Sequence, residues 1–164
     1  MLHNAQKHLL FAITLLIGLS VCGAEDTVAR VIYAEAGPQC SAKERHLVAS
    51  VVFNRIDHNG FGKPIDGLDV VTRHKAFSAY KDMANMNWTG SSTPNLRTGA
   101  WLQTRNLSKG IKDRTIVPVP NVHYFLTKGT PIPKGYYSPK YWTLTVAYET
   151  EHFTFYRITV RVNV

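Results

Sequence analysis

The segment that decides the fold reads VARVIYAEA and spans residues 28–36. Its apolar residues Val28, Val31 and Ile32 recur at the i, i+3, i+4 spacing of a helix with one buried stripe. Glu35 takes position i+7 of that stripe, so a carboxylate falls on the apolar face. The segment therefore predicts a core helix that carries one ionisable group.

Glu35 is the first candidate for a catalytic residue. Burial disfavours the charged form of a carboxylate, and a carboxylate in such surroundings can serve as a general acid near neutral pH. The alternative is a glutamate at the end of a helix that bends out to water or pairs with Arg30 or Lys43. Periodicity alone leaves both interpretations open.

The first 24 residues have the layout of a secretory signal peptide. Lys7 precedes an apolar run from Leu9 to Val21, and Cys22 to Ala24 supplies the small residues of a cleavage site. The run is shorter than the roughly 20 residues that span a bilayer. We expect residues 1–24 to be removed and residues 25–164 to form one exported domain in the bacterial periplasm or cell envelope. An uncleaved anchor and a lipid anchor at Cys22 are the alternatives.

The net charge bears on the binding partners of the chain, and its cysteine content bears on how the fold is stabilised. The 164 residues carry a net charge of +8, which suits polyanionic surroundings, but the basic residues are scattered and we expect no nucleic-acid partner. Cleavage after residue 24 would leave Cys40 as the only cysteine, so the fold must rest on packing. No arrangement with histidine favours Cys40 as a nucleophile. We expect a monomer.

The order of predicted elements indicates an α+β domain, with a helical N-terminal half and a small antiparallel sheet in the C-terminal half. Ser41 and Glu44 form a capping box at the start of the second helix. The expected helices are 26–36, 42–57, a short one at 78–83, and 95–109, which Thr93-Pro94 opens and Gly110 closes. The expected strands are 116–119, 122–126, 142–148 and 153–164, and in the last one apolar and polar residues alternate from Tyr156 to Val164, as in a half-buried strand.

Few other constellations could carry chemistry. The sequence has no nucleophile elbow, no phosphate-binding glycine loop and no H-E-x-x-H pattern, and we expect neither a metal nor a cofactor. His123 and His152 lie on separate predicted strands, which leaves a two-histidine metal site as one alternative to a hydrogen-bonding role.

Aromatic residues accompany many Asn, Ser and Thr residues in the second half. Aromatic faces next to amide and hydroxyl donors suit sugar rings. Most of these aromatics must pack in the core, and we expect two or three to line a groove. They are Phe77, Tyr80, Trp88, Trp101, Tyr124, Phe125, Tyr136, Tyr137, Tyr141 and Trp142.

Two segments together carry a family resemblance: ARVIYAEA at 29–36 and VASVVFNRI at 48–56. They resemble the opening signature of SleB-like cell wall hydrolases, the spore-cortex-lytic type of peptidoglycan-cleaving enzyme. Weaker matches follow at 76–78, at His123-Tyr124, and at Trp142 with the segment 152–156. The resemblance therefore covers nearly the whole of the expected mature chain.

The resemblance implies a lysozyme-like or lytic-transglycosylase-like domain that binds peptidoglycan glycan strands. It implies that Glu35 is the catalytic acid for cleavage of the β-1,4 bond between N-acetylmuramic acid and N-acetylglucosamine. Glu35 would then act as base on the muramic 6-hydroxyl and leave a 1,6-anhydro product. One carboxylate suffices for this route, whereas ordinary glycosidases use two. A hydrolytic muramidase would need a partner among Glu44, Asp66, Asp69, Glu149 and Glu151.

Four further residues are predicted to position the sugar or to orient Glu35: Asn54, Ser78, Tyr124 and His152. Each also has a structural alternative, such as a helix cap for Asn54 and Ser78 and a core position for Tyr124.

Three departures from the family pattern concern the rim of the groove. The chain reads Gly37 to Cys40 where an Arg-Gly-Glu type of run is usual. The approach to His123 lacks the glycine-rich segment, and the closing motif has an extra residue after His152. A non-catalytic peptidoglycan-binding module is therefore the main alternative, and a basic nuclease is a weaker one.

Overall fold

The structure is a computed structural model that describes residues 27–56, 58–73, 77, 98–133 and 142–160. In this part of the chain helices precede strands, as predicted for an α+β domain. The elements are α1 (27–36), α2 (Ala42–Asn54), a 3-10 turn (Asn59–Phe61), α3 (Gly67–Thr72), α4 (Gly99–Lys112), β1 (Tyr124–Thr127), β2 (Trp142–Glu149) and β3 (Phe153–Val160).

Helix α1 has the buried stripe that its sequence predicts. Val28, Val31 and Ile32 are buried in the main core, and Glu35 on the same stripe is half-buried. The helix ends at residue 36 as expected, because Gly37 adopts a φ of 78° and its N–H donates to the carbonyl of Tyr33 over 2.8 Å. The predicted cap Asp26 lies outside the described residues.

Helix α2 begins with the predicted capping box. Ser41 Oγ accepts from the backbone N–H of Glu44 over 3.2 Å, and Glu44 Oε2 accepts from the backbone N–H of Ser41 over 2.9 Å. The predicted end near residue 57 is wrong, because α2 ends at Asn54. Asn54 and Arg55 instead turn their side chains to carbonyl groups of the segment before β1.

The predicted bounds of the next long helix are wrong at both ends. Thr98 is the N-cap of α4, since its backbone is extended and its Oγ1 accepts from the N–H of Trp101 over 3.3 Å. Gly110 lies inside the helix and does not close it. A Cβ at Gly110 would lie 2.6 Å from Cδ1 of Ile116, so glycine here permits close packing of the returning chain. Thr93 lies outside the described residues.

Helix α3 was not predicted, because Gly and Pro residues around it indicated a loop. Asp66 caps it by accepting from the N–H of Asp69, and the apolar pair Val70 and Val71 is buried. The short helix predicted at 78–83 lies outside the described residues.

The three strands form an antiparallel sheet in the order β1-β3-β2. The strand predicted at 116–119 is wrong. Its segment is held by side chains of α2, because Ser50 Oγ accepts from the N–H of Val119 over 2.9 Å and Asn54 Nδ2 donates to the carbonyl of Val119. Strand β1 begins at Tyr124, not at residue 122. Residues 161–164 of the last predicted strand lie outside the described part.

The predicted alternation along β3 is confirmed in its second half, where Tyr156 and Ile158 are buried and Arg157 and Thr159 are exposed. In its first half both faces are covered, because Phe153 and the three residues after it are all buried.

The main core lies between the helices and the sheet. It joins apolar residues of α1, α2 and α3 to Phe153 and Phe155 of β3. Tyr33 and Trp101 pack edge to face at 5.8 Å in a smaller cluster between α1 and α4. Within the described ranges, no helix combines the length and the apolar character that crossing a bilayer requires.

Candidate functional site

Glu35 lies in the last turn of α1, on the stripe of the helix that packs into the core. Its neighbours on the stripe, Val28 and Val31, are buried, whereas Glu35 is half-buried. Its intermediate burial leaves part of the residue accessible to solvent. This placement is compatible with proton transfer to or from a ligand.

Glu44 is a far more buried carboxylate than Glu35, with an exposed fraction of 2%. Its Oε2 accepts from the backbone N–H and the hydroxyl of Ser41, both over 2.9 Å. Its Oε1 accepts from the backbone N–H of His152 over 3.1 Å and lies 3.0 Å from Nδ1 of that residue. Burial raises the pKa of Glu44, but the hydrogen bonds from Ser41, His152 and Thr150 outweigh it and lower the pKa to about 2.

His152 lies at the end of the turn between β2 and β3 and contacts Glu44. Its side chain is 35% exposed, so one side of the ring faces outwards. Its backbone is fixed as well, since its carbonyl accepts from the N–H of Lys128 over 2.8 Å. Glu44 therefore holds His152 by both backbone and ring.

Cys40 completes a cluster with these two residues. One ligand atom each of Cys40, Glu44 and His152 lies within 4.8 Å of the others. The Cys40 thiol is buried and donates to the carbonyl of Ala36. Burial, together with the negative charges of Glu44 and Glu151, raises the pKa of the thiol to about 11 against the opposing effect of Arg45. Sequence patterns offered no reason to expect a histidine near Cys40, but His152 belongs to the same cluster; a protonated, enclosed thiol is nevertheless a poor nucleophile.

A second cluster surrounds Arg55 at the end of α2. Its guanidinium carbon lies 4.6 Å from the centroid of Phe61 and 4.8 Å from the centroids of Phe77 and Tyr124. Its Nε donates to the carbonyl of His123 over 2.8 Å. Cation–π contacts of this kind stabilise a guanidinium that is buried.

His58 and His123 lie beside this guanidinium, with ring centroids 4.6 Å apart and ring planes tilted by 52°. Nδ1 of His58 accepts from the N–H of Gly60, and Nδ1 of His123 accepts from the N–H of Ile158. Burial lowers the pKa of His58. Burial, together with repulsion from protonated His58 and from Arg55 and Arg157, lowers the pKa of His123 to about 4, so this ring is neutral at pH 7.

The alternative of a metal site between His123 and His152 is wrong. His123 pairs with β3 through the carbonyl of Tyr156 just before β1 begins, whereas His152 pairs with Lys128 just after β1 ends. The intervening chain, extended at about 3.3 Å per residue, keeps the two rings apart.

The aromatic residues divide between core and surface. Phe77 and Trp101 are buried, whereas Tyr124, Phe125 and Trp142 are half-buried. Tyr124 and Trp142 lie nearly parallel, with centroids 6.3 Å apart and an angle of 13° between their planes. The other aromatic candidates lie outside the described residues.

The four predicted positioning residues fall into different places. Asn54 donates through Nδ2 to the carbonyls of Val119 and Val122, over 2.8 and 2.9 Å, so its amide fixes the loop before His123. Tyr124 belongs to the cluster around Arg55, and His152 belongs to the cluster with Glu44 and Cys40. Ser78 lies outside the described residues.

The acids proposed as partners of Glu35 are of two kinds. Glu44 is enclosed and fully hydrogen-bonded, Asp66 caps α3, and Asp69 binds Arg73 and the N–H of Ile65. Glu149 and Glu151 are exposed near the turn between β2 and β3.

Sequence reasoning did not find the cluster of Cys40, Glu44 and His152. Its signals were present separately: the capping box located Glu44, and the family resemblance pointed to His152. Glu44 and His152 are 108 positions apart, and no local spacing rule connects residues so distant. Comparison with known proteins gave no match to a protein-family model, to a curated protein or to a solved structure.

Proposed function

We propose that this chain is an exported peptidoglycan-cleaving glycosidase of the lytic transglycosylase type, with Glu35 as its acid and base. A lysozyme-like arrangement of the domain is part of this proposal. Support comes from the two segments that resemble cell wall hydrolases, because they form the consecutive core helices α1 and α2. The main supporting observation is the half-buried position of Glu35 on the packed face of α1.

The burial and hydrogen bonding of the other candidate acids favour a reaction that uses a single carboxylate. A second carboxylate that acts as nucleophile or base must be able to approach the sugar. Glu44 is enclosed, and the carboxylates of Asp66 and Asp69 are bound within and beside α3. Of the five candidates, Asp66, Glu149 and Glu151 are exposed, and the carboxylate of Asp66 is engaged as the cap of α3.

Tyr124 and Trp142 supply a surface that suits a glycan. Both rings are half-buried, and their planes are nearly parallel with centroids 6.3 Å apart. Sugar rings stack on aromatic faces through their apolar C–H groups. The basic chain as a whole would favour binding to the anionic wall.

In the proposed reaction, the protonated carboxyl group of Glu35 donates to the glycosidic oxygen while the bond from this oxygen to C1 of muramic acid breaks. The resulting carboxylate then accepts the proton of the muramic 6-hydroxyl as O6 forms a bond to C1. The 1,6-anhydro product leaves, and Glu35 is protonated again. No water is consumed in this cycle.

Clearing of purified peptidoglycan in a zymogram tests the role of Glu35. We expect the wild type and Glu149→Gln, a matched loss of an exposed carboxylate, to clear the wall. Glu35→Gln should not clear it, while its far-ultraviolet circular dichroism and its binding to insoluble wall stay unchanged. Clearing by Glu35→Gln at the wild-type rate would refute the mechanism. Binding without clearing by the wild type would identify a binding module.

Mass spectrometry of the released muropeptides tests the type of reaction. A lytic transglycosylase leaves 1,6-anhydro ends. Reducing ends alone would refute the lytic proposal and direct attention to Glu149 and Glu151 as partners in hydrolysis.

A further inference from the structure

We propose that Cys40, Glu44 and His152 form a binding site for a thiophilic divalent cation of the Zn²⁺ class. The cluster joins three separate parts of the chain: the turn between α1 and α2, the first turn of α2, and the turn between β2 and β3. Sulfur, carboxylate oxygen and imidazole nitrogen are the ligand types that Zn²⁺ takes, whereas Ca²⁺ and Mg²⁺ avoid sulfur. The proposal is independent of any activity of Glu35.

The distances between the three ligand atoms are close to those around a cation. In a tetrahedral zinc site, bond lengths of about 2.0–2.3 Å place neighbouring ligand atoms about 3.3–3.6 Å apart. Here Nδ1 of His152 lies 3.0 Å from Oε1 of Glu44, and all three ligand atoms lie within 4.8 Å. His152 is the half-exposed member, so rotation of its ring can close the remaining gap and admit the ion.

The charges around the thiol also favour a cation. Glu44 and Glu151 act on Cys40 as negative charges, and Arg45 is the opposing positive charge. Arg45 directs its guanidinium to the carbonyl of Cys40 and to Oε1 of Gln103 over 2.8 Å. A divalent cation would replace the thiol proton as the compensating positive charge.

Binding of the cation would release one proton from the site. The Cys40 thiol loses one proton to solvent and becomes a thiolate. His152 would bind the ion through the lone pair of Nδ1, with a proton on Nε2, and Glu44 is already ionised because its pKa is lowered to about 2. Affinity should therefore increase with pH.

Absorption spectroscopy with Co²⁺ tests the site, because cobalt replaces zinc and its bond to a thiolate gives a charge-transfer band. The measurement uses the full chain and its Cys22→Ser variant, which removes the other cysteine. We expect both proteins to give the thiolate band and to lose it when Zn²⁺ is added. The Cys40→Ser variant should lose the band, and His152→Gln should bind Zn²⁺ at least about tenfold more weakly.

His46→Asn is the matched control, since His46 is an ordinary surface histidine bound to the carbonyl of Val117. It should bind cobalt as the wild type does. Absence of the band in the wild type at saturating Co²⁺ would overturn the proposal, and so would a band that survives in Cys40→Ser. The half-exposed His152 gives a second test if Cys40→Ser fails to fold: unchanged zinc affinity in a folded His152→Gln protein would also overturn it.

Discussion

Glu44 holds His152 at two points, because its Oε1 lies 3.1 Å from the backbone nitrogen of His152 and 3.0 Å from its Nδ1. The same carboxylate also closes the capping box with Ser41 through Oε2. One buried side chain therefore fixes both the start of α2 and the turn that leads into β3. The ionisation of Glu44 should therefore affect the free energy of unfolding, because this carboxylate joins the helices to the sheet.

Acid should destabilise the protein through Glu44 between about pH 5 and pH 2. Because the folded pKa of about 2 lies below the ordinary value of 4.5, the unfolded chain binds more protons in this interval. The stabilisation is present above pH 4.5 and is lost as pH falls towards 2. The shift corresponds to about 3 kcal/mol. Urea unfolding of the wild type at a series of pH values measures the decline.

Glu44→Gln is the control for this decline, since it removes the charge and keeps the shape. Its free energy of unfolding should be lower at pH 7 and should vary much less below pH 5. Asp66→Asn, which alters an exposed cap, should retain the wild-type slope. An undiminished slope in Glu44→Gln would show that other carboxylates cause the acid sensitivity.

His123 should cause a separate loss of stability on acidification, in a pH range above that of Glu44. Burial and the adjacent positive charges keep its folded pKa near 4, below the ordinary 6.5. The unfolded chain therefore binds more protons between pH 6.5 and 4, and stability falls as pH falls through this range. His123→Asn, which retains an acceptor for the N–H of Ile158, should flatten this part of the profile. His58 should leave a residual slope, which His58→Asn would reduce.

The strongest sequence signals were those that depend on nearest neighbours along the chain. The stripe of α1, the capping box of α2 and the alternation of β3 around Arg157 were all confirmed. The strand predicted at 116–119 failed for a tertiary reason. Ser50 and Asn54, on a helix far away in sequence, take up the backbone groups of Val119 that a neighbouring strand would otherwise bind.

Asn54→Asp should therefore destabilise the protein as much as Asn54→Ala. The amide donates to two carbonyls, and aspartate cannot donate to either because both of its oxygens accept. These carbonyls are partly buried, and leaving them without a donor costs up to about 1–3 kcal/mol each. Chemical denaturation measures both variants. Full stability in Asn54→Asp would contradict the structural role and would favour the alternative in which Asn54 binds the sugar.

Trp142→Ala should weaken binding to insoluble peptidoglycan. The indole is half-buried beside the nearly parallel ring of Tyr124, and loss of a ring that stacks on a sugar costs about 0.5–1.5 kcal/mol, or roughly twofold to tenfold in affinity. Val146→Ala is the control on the same strand, because Val146 is 58% exposed and offers no ring. Co-sedimentation with purified wall measures both. Equal loss in the two variants would point to a general effect on β2.

The candidate site was less predictable than the fold. Glu35 could be singled out because its spacing to Val28 and Val31 is local. The neighbours of His152 could not be predicted from the sequence, because Glu44 and Cys40 approach it only when the sheet packs against α2. Arg55 is a similar case. Its guanidinium contacts the rings of Phe61, Phe77 and Tyr124, of which the sequence had offered Phe77 and Tyr124 as candidates for either the core or a sugar-binding groove.

Two glycines of α4 should respond in opposite directions to alanine. Gly110→Ala places a Cβ 2.6 Å from Cδ1 of Ile116 and should cost about 1–3 kcal/mol through overpacking. Gly99→Ala meets no atom within 4 Å at the first position of the helix, so it should stabilise by up to about 1 kcal/mol by restricting the unfolded chain.

Thermal unfolding of both variants and of Gly110→Ala/Ile116→Val separates packing from helix propensity. The double variant shortens the obstructing side chain and should regain part of the stability that Gly110→Ala loses. If Gly110 instead closed the helix, as the sequence predicts, its replacement would be strained at the backbone and shortening Ile116 would restore nothing. Recovery in the double variant therefore distinguishes a glycine kept for close packing from one kept for its backbone angles.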